Sequence, residues 1–355
     1  MEYFDDYNSS LTIIDDTKDW YDLSALSEYI YGAPLIQQGT LSKLYNEELI
    51  LQESGNTASA RKNFERVNKS NTGTRLKFDT NSQCLSLLVE LEKKKPLVKL
   101  TPNSQSGFDI YAKKANSNSY EHITVVAPQP FHNIFYHELT IETYSSILIF
   151  FPLYNPIKNI KLGLSKNSQI CKSKPYNNEN KPLIFYGNSI TQGASASRPG
   201  NAYPNMVSRM LNCDLINYSF SAACNAELEV VKQISQWNSL GLILDYQYNA
   251  KSIDELSNNI DRLYMYYRKL HPKTPIITID TTLAIMYNKT ISEFVKEHND
   301  DKNLYYISLN ELFTKYDLVD ISVDGTHYGD VGMFTVAERI SSLLRPYLNK
   351  INLQP

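Results

Sequence analysis

Cysteine is scarce in this chain of 355 residues, which contains only Cys84, Cys171, Cys213 and Cys224. The four residues lie far apart and share none of the short spacings that bind metals. This argues against a disulfide framework and against a structural zinc site. Cys224 has no base paired with it in the sequence, so we interpret it as a small apolar residue and not as a nucleophile.

Long apolar runs and blocks of basic residues are also missing. The most apolar stretch, Ile147–Leu153, is too short to span a bilayer. The net charge is −3 and the basic residues form no tract, so neither a membrane nor a nucleic acid is expected as a partner. Residues 1–16 are acidic and polar and do not resemble a secretory leader, which predicts a cytoplasmic protein. A secreted precursor whose leader has been removed would look the same.

The N-terminal half has the rhythm of an all-β domain. From Trp20 to Leu164, short apolar runs such as Leu85–Leu91 and His122–Val126 are separated by clusters of Asn, Ser, Gly and Pro. Alternation with a period of two, at this spacing, is typical of antiparallel strands in a sandwich. No long helical pattern interrupts it. We predict a jelly-roll-like β-sandwich over residues 1–170.

The C-terminal half alternates strands and helices. The polar stretch from Leu164 to Pro182 is interpreted as a linker or surface crossing and as the domain boundary. This alternation predicts an α/β domain over residues 181–355, with a parallel sheet and helices on both faces. Ligands of such sheets bind outside the carboxyl ends of the strands. The predicted strands are 183–186, 215–218, 242–244, 275–279 and 304–307, and the predicted helices are 203–211, 253–270, 291–298 and 331–348.

A candidate nucleophile follows the first of these strands, in the segment Gly187–Gly193. A serine hydroxyl attacks well only when a base removes its proton and donors receive the oxyanion. A strand-to-helix turn would expose the Oγ of Ser189 at the sheet edge and place its N–H near a helix N-terminus. The flanking glycines relieve crowding in that turn. A serine in such a turn can also be an ordinary cap, so a purely structural role stays open.

A candidate base lies near the C-terminus, in the segment Asp324–His327. A catalytic histidine needs a partner that fixes its tautomer and supports the imidazolium. Gly325 permits a tight turn, so that the side chains of Asp324 and His327 can face one way. Among the six histidines, only His327 follows an aspartate at this spacing. The alternative is an Asp–His pair that caps the last helix.

Together these two segments resemble the first and last blocks of the SGNH/GDSL hydrolases. The resemblance implies a flavodoxin-like fold for the C-terminal half and a triad of Ser189, His327 and Asp324. The N-terminal half resembles, more loosely, the β-sandwich of a two-domain branch of the family. Members of that branch are linked to carbohydrate esters or to acyl transfer.

The resemblance also implies an oxyanion hole. Its donors would be the backbone N–H of Ser189, the backbone N–H of Ala222 and the side-chain amide of Asn249, from the first, second and third blocks. The sequence departs from the family at three positions: Asn188 replaces the usual Asp, and Ala222 and Gln247 replace glycines. Alanine adopts a positive φ less readily than glycine does.

The resemblance implies a serine esterase that hydrolyses a small acyl group, such as acetyl, on a carbohydrate or glycoside. This chemistry requires no metal and no organic cofactor. Two alternatives stay open. The same triad could transfer the acyl group to an alcohol or amine acceptor, or the protein could be a catalytically decayed glycan-binding protein, which the three departures would favour.

Overall fold

The computed structural model describes residues 15–37, 40–55, 57–92, 97, 99–129, 132–178, 181–223, 225–282 and 285–352. Cys224 and residues 1–14 lie outside the described residues, so the predictions for Cys224 and for most of the segment 1–16 concern residues that are not described. The chain forms two compact units. The β unit comprises Met1–Ser42, Ser70–Pro175 and Arg198–Gly200, and the α/β unit comprises Lys43–Lys69, Tyr176–Ser197 and Asn201–Pro355.

Helices occur in the N-terminal half of the chain, where the sequence shows no long helical pattern. They are α1 (Glu47–Glu53), α2 (Ala58–Asn68) and α3 (Pro102–Ser106). The sequence signal of α2 is weak because its apolar side chains in the core are only Phe64 and Val67. Its clearest mark is the cap Thr57, whose side chain accepts a hydrogen bond from the N–H of Ala60 at 3.1 Å.

The β unit contains two antiparallel sheets within the described residues. The first has the order β1-β11-β6-β9; the second has the order β12-β5-β10-β7-β8, with β2 also paired to β5, while β3 and β4 form a separate pair. The strands are β1 (Lys18–Asp22), β2 (Ile30–Tyr31), β3 (Leu35–Gln37), β4 (Thr40–Ser42), β5 (Arg75–Thr80), β6 (Cys84–Leu91), β7 (Phe108–Lys113), β8 (Glu121–Val126), β9 (Ile134–Thr140), β10 (Ser146–Phe150), β11 (Ile157–Ser165) and β12 (Ile170–Lys172).

The two sheets bury one apolar core, to which alternate residues of their strands contribute. Leu85 and Leu87 of β6 share this core with Ile147 and Ile149 of β10. The period of two found in the sequence therefore reflects a sandwich. The stretch from Leu164 to Pro182 is more than the predicted linker, because it contains β12, which pairs with β5.

The α/β unit is built on a parallel sheet with the order β14-β13-β15-β16-β17. The helices predicted at 203–211 and 253–270 are observed at these residues, while the helix predicted at 291–298 begins six residues earlier, at Ile285. The strands are β13 (Leu183–Gly187), β14 (Leu215–Ser219), β15 (Gly241–Asp245), β16 (Ile276–Ile279) and β17 (Leu304–Ile307), and the helices are α4 (Ser189–Gln192), α5 (Tyr203–Leu211), α6 (Leu228–Ser235), α7 (Ile253–Leu270), α8 (Ile285–Glu297), α9 (Leu309–Leu312), α10 (Leu318–Ile321) and α11 (Asp330–Asn352).

Alternate residues of β13 face helices on opposite sides of this sheet. Ile184 and Tyr186 join a core cluster with residues of α6, α7 and α8, whereas the ring of Phe185 packs against Tyr203 of α5. Phe64 and Val67 of α2 belong to the first of these cores, although they lie far upstream in the sequence. The compact units therefore differ from the predicted division into residues 1–170 and 181–355, because this core recruits Lys43–Lys69.

The predicted fold class, an all-β sandwich followed by a parallel α/β sheet, is confirmed. The last residues of three strands are level at one edge of the parallel sheet, where Gly187 pairs in register with Ser219 on one side and with Asp245 on the other. The segments that carry Ser189, Ala222 and Asn249 leave the sheet at this edge. No helix among the described residues has the length and apolarity needed to cross a membrane.

Candidate active site

The turn that carries the predicted nucleophile Ser189 is fixed by close packing after β13. A Cβ atom on Gly187 would lie 2.0 Å from the Oγ1 of Thr191 and 2.8 Å from the carbonyl oxygen of Asp245, so only glycine fits there. Asn188 caps the short helix α4, and its Oδ1 accepts a hydrogen bond from the N–H of Ile190 at 2.7 Å. This turn presents Ser189 as the first residue of α4.

The predicted base, His327, lies on a tight loop between α10 and α11. Gly325 has a φ of +79°, which glycine adopts without strain, and the loop folds back on itself there. The N–H of Val323 donates to the carbonyl oxygen of His327 at 2.8 Å, which closes the loop. Asp324 Oδ1 accepts from the backbone N–H of His327 at 2.8 Å and from that of Thr326 at 3.1 Å. The carboxylate is thus held in place by the loop it belongs to.

The structure brings Ser189, His327 and Asp324 together. The Oγ of Ser189 lies 2.9 Å from the Nε2 of His327, and the Nδ1 of His327 lies 2.9 Å from the Oδ2 of Asp324. An ionised carboxylate only accepts hydrogen bonds, so Nδ1 carries the proton and Nε2 presents its lone pair to the serine hydroxyl. The side chains of His327 and Asp324 are 19% and 14% exposed, so both remain in contact with solvent.

The predicted oxyanion donor Ala222 lies on the loop after β14. Its φ is +53°, the left-handed conformation that the family's glycine would adopt more easily. Gln192 of α4 accepts a hydrogen bond from the N–H of Ser221 at 3.0 Å, so the loop is tied to the nucleophile helix. The N–H of Ala222 has no hydrogen-bond partner within the part of the chain that the structure describes.

The side-chain amide of Asn249 makes two hydrogen bonds that the sequence did not predict. Its Nδ2 donates to the carbonyl oxygen of Phe220 at 2.9 Å and to that of Ala223 at 2.6 Å. Both N–H bonds of the amide therefore point at the loop that carries Ala222. Its predicted role as a donor to the oxyanion stays a prediction, since one of these bonds would have to be released.

The buried carboxylate of Asp245 was not predicted as a functional residue. Its oxygens accept hydrogen bonds from Thr191 at 2.9 Å, Tyr203 at 3.1 Å, Gln247 at 3.2 Å and Asn188 at 3.3 Å. Complete burial raises the pKa of Asp245 to about 7, against the lowering effect of these donors. Two of the departures from the family, Asn188 and Gln247, thus hydrogen-bond to this group. The sequence did contain a signal for this residue, because Asp245 is a charged residue at the end of a run of buried strand residues.

Asp330, the first residue of α11, was also missed. Its Oδ1 accepts from the N–H of Ser197 at 2.9 Å, and its Oδ2 accepts from the Oγ of Ser197 at 2.6 Å and from the Nδ2 of Asn201 at 2.8 Å. Asp330 therefore ties the segment downstream of Ser189 to the segment that carries His327. Among the described residues, no cluster of three or more His, Cys, Asp or Glu side chains has the arrangement of a metal site.

Two families match successive parts of the chain. Residues 180–345 match the GDSL-like lipase/acylhydrolase family, and residues 36–170 match the N-terminal domain of the SGNH-hydrolase type of esterase. Comparison with curated proteins gives no match.

Solved structures share the fold over nearly the whole chain. A protein described as a GDSL-like lipase from Bacteroides ovatus is 24% identical, with a TM-score of 0.76 over 94% of this chain and 98% of its own. The salicylyl-acyltransferase SsfX3 from a tetracycline biosynthetic pathway is 18% identical, with a TM-score of 0.70 over 96% and 99% of the two chains. A family two carbohydrate esterase from Cellvibrio japonicus is 11% identical, with a TM-score of 0.60 over 94% and 99%. The two family matches and the architecture agree, and the chain belongs to the SGNH/GDSL hydrolases, in the branch with an N-terminal β domain.

Proposed function

We propose that this protein is a serine esterase that works through an acyl-enzyme. The Oγ of Ser189 attacks the ester carbonyl carbon while Nε2 of His327 takes the hydroxyl proton. The protonated His327 then gives that proton to the leaving alcohol, and Asp324 stabilises the imidazolium. Water repeats the sequence on the acyl-enzyme, which releases the acid and restores Ser189.

The oxyanion of each tetrahedral intermediate would be held by the backbone N–H of Ser189 and the backbone N–H of Ala222. The amide of Asn249 would add a third donor by giving up one of its two loop carbonyls. The observation that carries the proposal is the chain of two 2.9 Å contacts from Ser189 through His327 to Asp324. An Asp–His pair that only capped the last helix would need neither contact, so the alternative structural role does not explain them.

For the substrate we propose a small acyl group, such as acetyl, on a carbohydrate or glycoside. Support comes from the fold shared with the carbohydrate esterase of Cellvibrio japonicus, whose chain is matched over 99% of its length. A short acyl group also suits an ester site that opens at the end of a sheet, since it needs no long apolar channel.

The test compares Ser189→Ala with the parent on p-nitrophenyl acetate and on an acetylated xylo-oligosaccharide. Ser342→Ala, which changes an exposed serine on α11, is the matched control. We expect Ser189→Ala to lose several orders of magnitude in kcat and Ser342→Ala to lose nothing, because members of a triad act as one unit. Parental activity in Ser189→Ala would refute the assignment of the nucleophile.

A transferase is the second candidate, and the similarity to SsfX3 over 96% of this chain favours it. The triad would be the same, with an alcohol or amine in place of water at the second step. Product analysis with and without an added acceptor separates the two functions. An esterase releases free acid at an unchanged rate, whereas a transferase diverts the acyl group to the acceptor.

A further inference from the structure

Every carbonyl oxygen of the loop Phe220–Ala223 is held by a side chain. Asn249 binds those of Phe220 and Ala223, as described above. The other two are held from α2: Arg66 donates from a guanidinium nitrogen to the oxygen of Ser221 at 3.0 Å, and Asn63 donates from Nδ2 to that of Ala222 at 2.5 Å. The loop is thus fixed from two separate elements of the α/β unit.

Arg66 also sets the orientation of the Asn63 amide. Two guanidinium nitrogens of Arg66 donate to the Oδ1 of Asn63, at 2.6 Å and 3.2 Å. Because Oδ1 accepts from Arg66, the Nδ2 end of the amide must point to the carbonyl of Ala222. Phe64 and Val67, buried in the core of the unit, anchor the helix that carries both side chains.

Holding these carbonyls determines where the N–H of Ala222 points. This N–H belongs to the same planar peptide as the carbonyl of Ser221, and in a trans peptide the two bonds point in opposite directions. The hydrogen bond from Arg66 therefore turns the Ala222 N–H away from α2. The bond from Asn63 to the next carbonyl holds Ala222 in its left-handed conformation, which an alanine would otherwise leave.

We propose that Arg66 and Asn63 are positioning residues that preorganise the Ala222 N–H as an oxyanion donor. This inference rests on the proposed esterase function and extends it to a helix in the N-terminal half of the sequence. A preorganised donor acts on the charge that develops in the transition state and adds little to the binding of a neutral ester. The two residues therefore affect kcat and leave KM nearly unchanged.

The experiment measures kcat, KM and Tm for Arg66→Ala, Arg66→Lys and Asn63→Asp on p-nitrophenyl acetate. Asn63→Asp keeps an acceptor for Arg66 but places an oxygen against the carbonyl of Ala222. Arg61→Ala is the control, because Arg61 lies on the same helix and forms an exposed ion pair with Glu48. We expect kcat to fall about 10- to 100-fold in Arg66→Ala and Asn63→Asp with KM within twofold of the parent. The loss is smaller than the roughly 10²- to 10³-fold cost of removing one oxyanion donor, because the donor is displaced and not removed.

A partial recovery of kcat in Arg66→Lys, which can still donate to Ser221, would support the positioning role beyond a structural one. Affinity for a boronic acid, which mimics the tetrahedral intermediate, should fall in parallel with kcat. A kcat within twofold of Arg61→Ala in both Arg66→Ala and Asn63→Asp, or a rise in KM alone, would overturn the inference. Ser189→Ala in the same assay separates this inference from the proposed function. If Ser189→Ala is inactive, an unchanged kcat in the α2 variants refutes only the role of α2. If Ser189→Ala is active, the proposed function is refuted and this inference with it.

Discussion

Asn188 donates a hydrogen bond from its side-chain amide to the buried carboxylate of Asp245 at 3.3 Å. The family usually has an aspartate at the position of Asn188, and here it would place two carboxylates side by side in a buried site. An amide and a carboxylate are complementary at this spacing, whereas two ionised carboxylates repel strongly in a buried site. The departure at Asn188 is therefore matched by the presence of Asp245.

An exchange of these two residues tests the pairing. We expect Asn188→Asp to lower the free energy of unfolding by about 2–4 kcal/mol, because it replaces one of the donors to the buried carboxylate of Asp245 with a second carboxylate. The double variant Asn188→Asp/Asp245→Asn should recover part of this loss, since the amide and the carboxylate are then exchanged. Urea unfolding of the parent, both single variants and the double variant gives the coupling energy. Additive losses would show that the two side chains do not interact.

The raised pKa of Asp245 predicts a specific dependence of stability on pH. Its value of about 7 exceeds that of an unfolded aspartate, so the folded state binds the proton more tightly. This contribution to stability is complete below about pH 4 and is lost as the pH rises through about 7. The free energy of unfolding should therefore fall by up to about 1.4 kcal/mol per pH unit between these limits, relative to Asp245→Asn. A constant difference between the two proteins from pH 4.5 to 8 would contradict this.

Asp330 is predicted to keep the nucleophile and base segments in register. We expect Asp330→Ala to reduce kcat about tenfold, because it removes three hydrogen bonds to Ser197 and Asn201 and allows the Ser189–His327 contact to lengthen. Ser197→Ala removes the bond from the hydroxyl to Asp330 and the bond that it accepts from Asn201, but it keeps two of the three bonds to Asp330, so the effect should be smaller. Asp320→Ala, which changes an exposed aspartate on α10, is the control for charge. Equal kcat values for Asp330→Ala and Asp320→Ala would exclude the positioning role.

Gly187 should tolerate no side chain. In Gly187→Ala the new methyl group would overlap Thr191 and the carbonyl of Asp245, so the turn that presents Ser189 must move. We expect activity on p-nitrophenyl acetate to be lost and Tm to fall. Gly329→Ala is the matched control, because the nearest atom to its new methyl group is 4.0 Å away. Parental activity in Gly187→Ala would mean that the turn is not built by this close packing.

The sequence was sufficient to predict which segments meet at the edge of the parallel sheet. Ser189 and His327 are 138 positions apart, yet each follows an element whose direction the strand-helix alternation determines. Gly325 correctly indicated the tight turn between Asp324 and His327, since the structure gives it a positive φ. Local signals of this kind depend on a few neighbouring residues.

The contacts that support the site could not be predicted in the same way. Asn63 and Ala222 are 159 positions apart, and no sequence feature near Asn63 indicates that α2 belongs to the α/β unit. The family resemblance likewise implied that the amide of Asn249 is an oxyanion donor, but it gave no sign that this amide also binds two loop carbonyls. Such contacts depend on how side chains from distant segments pack, which neither periodicity nor a short motif records.

The reactivity of Ser189 tests the account most directly. We predict that a fluorophosphonate probe labels the folded parent at Ser189, identified by mass spectrometry of the modified peptide, and that His327→Ala slows this labelling by at least about a hundredfold because the hydroxyl loses its base. Labelling at another residue would contradict the assignment of the nucleophile, and no labelling of the folded protein would favour a catalytically decayed glycan-binding protein.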